Sequence, residues 1–560
     1  MPKKSDHRPD RPDRTSDDSR PRGEGAYTEE LLDLDHRLVD ILARRTRLLA
    51  EAATARRGRG KAMTDVVRER RLRAVWDRLV KDHGLDVRGV RRLLDMANAL
   101  AYGLASSGDR AMDRFTFRPL RGPANLEAPG PRDTLAARCW TALAALAAAP
   151  MTLEPALIND PQVELVKALN QAGADLSWSR RGVSCVGGKA LGFNGRTMFV
   201  GSDELNWWLM LALSLPTPGV WTATGSAALK ALDLGPAAHL MAGLGARLHS
   251  LEPYSSGLPA KVESGGLTTG RARLADDVPP LLALALALAA PSYPEGLVLE
   301  YGPDWPGADC LALAADLLGR CGVKVEVSEG RLAVAPGPVR VPAKPAVPLD
   351  PLLCAYALAM PVLRGGRVLL EGHWPEAHVL ARPVLALLRS AGMEIECSAA
   401  RVAATAKGVE GTPVLDCGGR PELLPLAAAL AAAGSSTLRL ANLPDDADGL
   451  EAMRELLSRH ERLAGPDDAS DGDVLAVGPA GPDHERERGP WPAPTPLWIM
   501  AAALAALNRP GLMLANPGDM SGLWPGFWTL YTSLFGGSSE RAETEEPEED
   551  DRPKGRRIRL

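Results

Sequence analysis

Five charged side chains near the start of the chain have types and spacing suited to a small anionic ligand: Arg45, Arg56, Asp65, Arg68 and Glu69. Arg45 and Arg56 stand eleven residues apart, about three turns along one helix face. Asp65, Arg68 and Glu69 crowd a single turn. Guanidinium groups clamp carboxylates in bidentate fashion, and neighbouring acids orient the cations. The competing reading is a solvated charged surface, because "RRTR", "RRGRGK" and "RERRLR" place other cations close by.

The elements that must position these residues are helical. Leu31, Leu34, Leu38, Ile41, Leu42, Leu48 and Leu49 recur at helical spacing and predict a first helix running to about Arg57. "GRGKAMT" breaks it, and Thr64 can cap a second helix over Asp65–Lys81. "DHGLD" breaks that one, and Asp86 can cap a third from Val87 to about Ser106. Residues 27–107 therefore read as an all-α module of three helices, too small to bury its apolar stripe without a partner copy.

The run Leu34-Asp35, Leu38-Val39, Ile41-Leu42, Arg45 and the box Asp65, Arg68-Glu69 resemble the all-helical (type II) chorismate mutases over residues 27–107. The resemblance implies an intertwined homodimer through the N-terminal helices that rearranges chorismate to prephenate. By position, Arg45 would clamp a substrate carboxylate, and Arg56 would take the place of a family lysine that reaches a carboxylate and the ether oxygen. Asp65, Arg68 and Glu69 match the family box. Such chemistry requires no nucleophile, general base, cofactor or metal: it holds a dianion in its folded conformer and stabilises charge on the ether oxygen. Two positions depart from the family. Its first-helix arginine falls at Thr28, and its third-helix glutamine or glutamate at Ala105. Losing a donor of that kind costs about 2.7–4 kcal/mol of transition-state stabilisation. Asn98 or Tyr102 could substitute only if the third helix rotates or shifts.

Beyond a linker over 108–127, residues 128–537 carry a rhythm repeated six times, with a period of roughly 70 residues. Each round opens with a very apolar helix: 140–149, 208–215, 281–290, 352–360, 424–433 and 498–507. A turn and a short strand follow, at "MTLEPAL", "GVWTATG", "GLVLEYG", "GRVLLEG", "STLRLAN" and "GLMLANP". A second, amphipathic helix then ends on a glycine stop.

Six α/β units of this length and order resemble the enolpyruvyl transferases, above all the 5-enolpyruvylshikimate-3-phosphate (EPSP) synthases, the 3-phosphoshikimate 1-carboxyvinyltransferase family. The resemblance implies two globular halves of three repeats each, closing on two phosphorylated, carboxylated substrates. The family's motifs are altered here. Pro-Gly-x-Lys-Ser reads Pro129-Gly130-Pro131-Arg132-Asp133, leaving Arg132 for the lysine. Gly-Asn-x-Gly-Thr-x-x-Arg reads Gly201-Ser202-Asp203-Glu204-Leu205-Asn206-Trp207-Trp208. The remaining motif positions fall near Asp276-Asp277-Val278, within 444–450, near Thr495-Pro496-Leu497 and near Ser521. Glu422 is the candidate for the catalytic aspartate. Acids where anions must bind oppose that binding, so the resemblance implies the fold without its transfer chemistry.

Composition sets the outer limits. Lys and Arg total 65 against 70 Asp and Glu, a net charge of −5, which does not suggest a nucleic-acid binder. Seven scattered cysteines with no C-x-x-C pair suit a reduced, cytoplasmic protein without a metal centre. No apolar run is long enough to span a bilayer. Residues 1–26 and 538–560 are charged and poor in apolar residues, and read as disordered. The expectation is a chorismate-pathway protein: a mutase on a non-catalytic EPSP synthase-like domain. The alternatives are a bifunctional mutase and carboxyvinyltransferase, or a non-catalytic chain that binds other shikimate-pathway enzymes.

Overall fold

The computed structural model describes residues 24–57, 66–86, 90, 93–94, 96–98, 101, 115–252, 256–409, 411–434, 436–466, 474–479, 489–508 and 512–535. The chain forms two compact units, residues 1–109 and 110–560.

In the first unit, Glu24–Arg57 is one helix of 34 residues, beginning three residues before the expected boundary, and Val66–Asp82 is a second. Thr64 and Asp65 lie outside the described residues, as do the expected disordered segments apart from residues 24–26. Residues 90, 93–94, 96–98 and 101 are helical within the expected third helix. Leu49, Ala53, Val80, Leu94, Ala97 and Ala101 form a small buried core. Leu31, Leu34, Leu38, Ile41 and Leu48 are each more than half exposed. Their spacing of three and four residues alternates as in a coiled-coil seam, and Arg45 falls on the same seam.

Among the described residues the second unit is built around six very apolar helices, four of them apolar on every side, which demands burial on every side. Thr134–Ala147, Glu204–Ser214 and Pro280–Ala289 share one core. Pro351–Leu358, Leu424–Ala433 and Pro496–Ala505 share another. All ten residues of Leu424–Ala433 are buried. These are the six helices read from the sequence, and each is followed by its expected strand: Met151–Leu153, Gly219–Thr224, Leu297–Tyr301, Arg367–Glu371, Leu438–Ala441 and Met513–Leu514.

Among the described residues, four of the sheets share one order. In one, Arg271–Leu274 runs parallel to Leu297–Tyr301, which pairs antiparallel with Arg331–Val334, itself antiparallel to Val325–Ser328. The sheet of Met151–Leu153 has three strands, and the Ala343 carbonyl accepts from Thr152 N. In the sixth, Met513–Leu514 pairs antiparallel with Phe115–Thr116, and Trp491 bridges Leu514.

The segment expected as a linker is therefore partly structural. Besides Phe115–Thr116, Leu126–Pro129 runs parallel to Arg367–Glu371, and Phe117, Leu120 and Ala124 are buried in the second core. Interleaved arginines and prolines hide this short alternation in the sequence. The two halves are joined where residues 131–133 and 348–350 meet: Asp133 N donates to Pro348 O at 3.0 Å, and Asp350 N to Pro131 O at 2.9 Å. Among the described residues no helix is long and apolar enough to cross a membrane. All seven cysteines are free thiols, five of them buried.

Candidate functional site

In the helical unit, Arg45 and Arg68 line one cavity of about 460 Å³, with Arg44 beside them and Ile41, Leu48, Leu49 and Leu72 as apolar walls. Arg45 Nη2 donates to Asn98 Oδ1 at 2.6 Å, and its guanidinium carbon lies 5.7 Å from the Trp76 ring centroid. Two helices and the third-helix segment thus converge on Arg45, fixing the direction of its fork. Asn98 is buried. From the sequence, Asn98 is considered only as a stand-in for the missing third-helix donor and is not paired with Arg45, the residue it meets here. The position of Asn98 four residues after Leu94, on the buried face, was the available signal.

Arg56 lies on the first helix but is not among the cavity's lining residues. Glu69 lies on the second helix, but its side chain, Asp65, Tyr102 and Ala105 are outside the described residues. Thr28 belongs to the first helix, with its side chain likewise outside. Of the five predicted residues, Arg45 and Arg68 are brought together. Cations over apolar walls suit a ligand that carries carboxylates on a ring.

In the α/β unit, most of the altered motif positions fall at the N-termini of buried helices. Such ends attract anions through unpaired N–H groups and the helix dipole. Here the protein fills several of them itself. Asp133 Oδ1 accepts from Leu135 N at 2.8 Å and Ala136 N at 3.0 Å, capping Thr134–Ala147. Asp203 caps Glu204–Ser214 through Asn206 N at 3.2 Å and also takes the guanidinium of Arg138. Asp350 caps Pro351–Leu358 through Leu353 N at 3.0 Å. Asp446 caps Ala447–Arg459 through Gly449 N at 3.1 Å. The helices Pro280–Ala289, Leu424–Ala433 and Pro496–Ala505 open with proline in the first two positions, which removes a donor.

Burial and the neighbouring Asp133 carboxylate push Asp350 up to about 7. Burial pulls His378 below its usual value, opposed by Asp133 and Asp309. Because Asp309 belongs to the first half and His378 to the second, both halves contribute to this field. Sequence reasoning missed Arg138, Asp203 as its partner, and Asp350. The Asp-Pro step at 350–351 was a readable cap signal.

Arg132 lines a different cavity, of about 600 Å³ where the halves join, with Lys344, His373, Arg401, Glu127, Glu154 and Glu371. Burial pulls its guanidinium below the usual range, while Cys354 and Glu371 oppose that shift. Its Nε has no hydrogen-bond partner among the described residues. Gly372, at φ +143°, leaves room for this side chain, since a Cβ there would strike Arg132 Nη1. Glu422 is exposed and not among the lining residues, so Arg132 and Glu422 do not share that cavity.

No protein-family model matches the chain. A 3-phosphoshikimate 1-carboxyvinyltransferase of Mycobacterium ulcerans is 28% identical over 334 residues, spanning 57% of this chain and 73% of the relative. Its namesake from Bordetella petrii is 24% identical over 430 residues, spanning 71% and 92%. An EPSP synthase from Acinetobacter baumannii matches the structure with a TM-score of 0.62 at 15% identity, over 75% of this chain and 98% of its own. The enolpyruvyl transferase NikO from Streptomyces tendae matches with a TM-score of 0.54 at 17% identity, over 75% and 97%. About three quarters of this chain therefore has the enolpyruvyl-transferase-like α/β fold of the EPSP synthases.

Proposed function

We propose that the chain is a protein of chorismate metabolism whose helical unit binds chorismate and rearranges it to prephenate, while its EPSP synthase-like unit acts as a scaffold without carboxyvinyl transfer. The observation that carries the mutase reading is the convergence of Arg45 and Arg68 on one apolar-walled cavity, with Asn98 holding Arg45. The two guanidiniums would bind the substrate's carboxylates while the apolar wall packs against the ring. In the rearrangement one C–O bond breaks as one C–C bond forms, with no proton transferred, so positioning and charge stabilisation suffice. The reading of the second unit is supported by Asp133, Asp203 and Asp350, which occupy helix ends that phosphate groups would otherwise use.

The test is chorismate disappearance and prephenate formation by the full chain beside Arg45→Ala. Turnover that falls by about a hundredfold or more in the variant supports the assignment. Turnover equal to the uncatalysed rate in the parent chain rejects it and leaves a binding protein.

A second reading, a working carboxyvinyltransferase, is favoured by the names of the sequence relatives. Phosphate release from shikimate 3-phosphate and phosphoenolpyruvate would establish it and would remove the scaffold assignment.

A further inference from the structure

Among the described residues, Asn98 is the one polar side chain on the buried face of the third helix, where Leu94, Ala97 and Ala101 surround it in sequence. It is 8% exposed. Burying an amide costs free energy unless it is hydrogen-bonded. Here its Oδ1 accepts from Arg45 Nη2 at 2.6 Å. A guanidinium only donates, so the amide must turn its oxygen towards it. Trp76, from the second helix, meets the same guanidinium, whose carbon lies 5.7 Å from the ring centroid.

Both of these groups are neutral. The amide holds the fork through its dipole and the indole through its ring face, and neither adds negative charge beside Arg45. A carboxylate at position 98 would hold the guanidinium at least as firmly, since charge-assisted hydrogen bonds are the stronger kind. It would also repel any carboxylate entering the cavity that Arg44, Arg45 and Arg68 line. That repulsion scales with ligand charge, so in free energy it penalises a dianion about twice as heavily as a monoanion.

We propose that Asn98 is a positioning residue that sets the charge preference of this cavity: it aims Arg45 without discharging it, so the helical unit favours a ring ligand with two carboxylates over one with a single carboxylate. The inference rests on the reading of Arg45 as a ligand-binding group and names what preserves its attraction.

The experiment is calorimetric titration of the full chain with prephenate, which carries two carboxylates and is not turned over, and with benzoate, which carries one. It is run at several salt concentrations for the parent, Asn98→Leu and Asn98→Asp, beside chorismate turnover. The parent should bind prephenate at least about tenfold more tightly than benzoate. Asn98→Leu removes the acceptor and leaves the charge, so both ligands should weaken by a similar factor, about fivefold, with the salt dependence of the parent. Asn98→Asp keeps the acceptor and adds a charge. It should weaken prephenate about tenfold or more and benzoate only about threefold, with a shallower salt dependence. A purely structural role would move neither the ratio of the two ligands nor the salt dependence. Asn98→Asp matches the amide in shape, so it decides the matter even where Asn98→Leu does not fold. Equal losses for both ligands in Asn98→Asp overturn the proposal, as do parent-like affinities in both variants. A parent that binds benzoate as tightly as prephenate, or binds neither, overturns it too. Prephenate binding with the expected variant pattern but without chorismate turnover removes the mutase reading alone and leaves this one standing.

Discussion

Ser521 Oγ donates to Asp160 Oδ2 at 2.7 Å across 361 residues of sequence, joining the two halves of the α/β unit by a side-chain bond. Asn159 strengthens the join: its Nδ2 donates to the carbonyls of Gly522 at 3.1 Å and Leu523 at 3.4 Å. Its Oδ1 meanwhile caps the helix Asp160–Gln171 through Gln162 N at 3.1 Å. Ser521 stands where the sequence resemblance places a family lysine. The halves are thus held by polar bonds in addition to the chain crossings at 131–133 and 348–350.

This clasp can be opened selectively. Asn159→Asp keeps the capping oxygen but replaces the donor with a carboxylate facing two carbonyls. It should cost on the order of 1–3 kcal/mol by chemical denaturation. Fluorophores placed one on each half should report a broader distance distribution in the variant. An unchanged midpoint with an unchanged distribution would show that the crossings alone fix the geometry.

The Arg138–Asp203 pair tests whether a carboxylate of the chain stands in for a bound anion. Arg138 is only 11% exposed, so removing its partner leaves a nearly buried charge uncompensated. Asp203→Ser keeps a capping oxygen and should destabilise the protein by about 2–3 kcal/mol. Inorganic phosphate should restore part of the loss, visible as a concentration-dependent rise in Tm that the parent chain does not show. Phosphate without effect on the variant would mean that the helix end is not an anion site at all.

The six-part architecture was legible because its signal is coarse. Runs such as 424–433 are apolar on every side and must be buried helices, and the strands after them are bounded by glycine and proline. What stayed hidden depends on distant partners. Nothing local in "RFTFRPLRG" says that Phe115–Thr116 pairs with Met513–Leu514, almost four hundred residues on. Of the proposed site, spacing pairs Arg45 with Arg56 and groups Arg68 with Asp65 and Glu69, whereas the cavity of the helical unit is lined by Arg45 and Arg68. The contact of Asn98 with Arg45 was hidden, because nothing local says which side chain 53 positions away a residue of the third helix will meet. The Arg138–Asp203 pair was unreadable, since an aspartate beside a lost motif looks like repulsion until its cation is located 65 positions away.

The crossing between the halves should make stability depend on pH. Asp350 titrates at about 7 against an ordinary value of 3.8, because burial and Asp133 disfavour its charge. Its folded-state pKa is raised, so the folded protein holds more protons than the unfolded chain between about pH 4 and 7. Its contribution to stability therefore falls as pH rises through that window and is level above it. Asp350→Asn preserves the cap to Leu353 N and cannot ionise. It should stabilise the protein at pH 8, by on the order of 1–2 kcal/mol once solvent access is allowed for, and change it little at pH 4. Equal effects at both pH values would show that the carboxyl does not carry this dependence.

The exposed seam of the first helix makes a last, linked prediction. Leu31, Leu34, Leu38, Ile41 and Leu48 are spaced for knobs-into-holes packing and are more than half exposed within one chain, so two copies should pair along this helix. Leu38→Lys/Ile41→Lys should convert the sedimenting species from dimer to monomer without unfolding the α/β unit, whose cores contain neither residue. Arg45 lies on the same seam, four residues after Ile41, and also lines the ligand cavity with Ile41 and Leu48. Pairing would therefore wall that cavity and hold the Arg45 fork away from bulk water, where its attraction for a carboxylate is greater. Dilution into the monomeric range, or the double-lysine variant, should accordingly weaken chorismate binding together with dimerisation. Loss of the dimer with full retention of binding would separate the seam from the site, and would leave Asn98 and Trp76 as the groups that hold Arg45 in place.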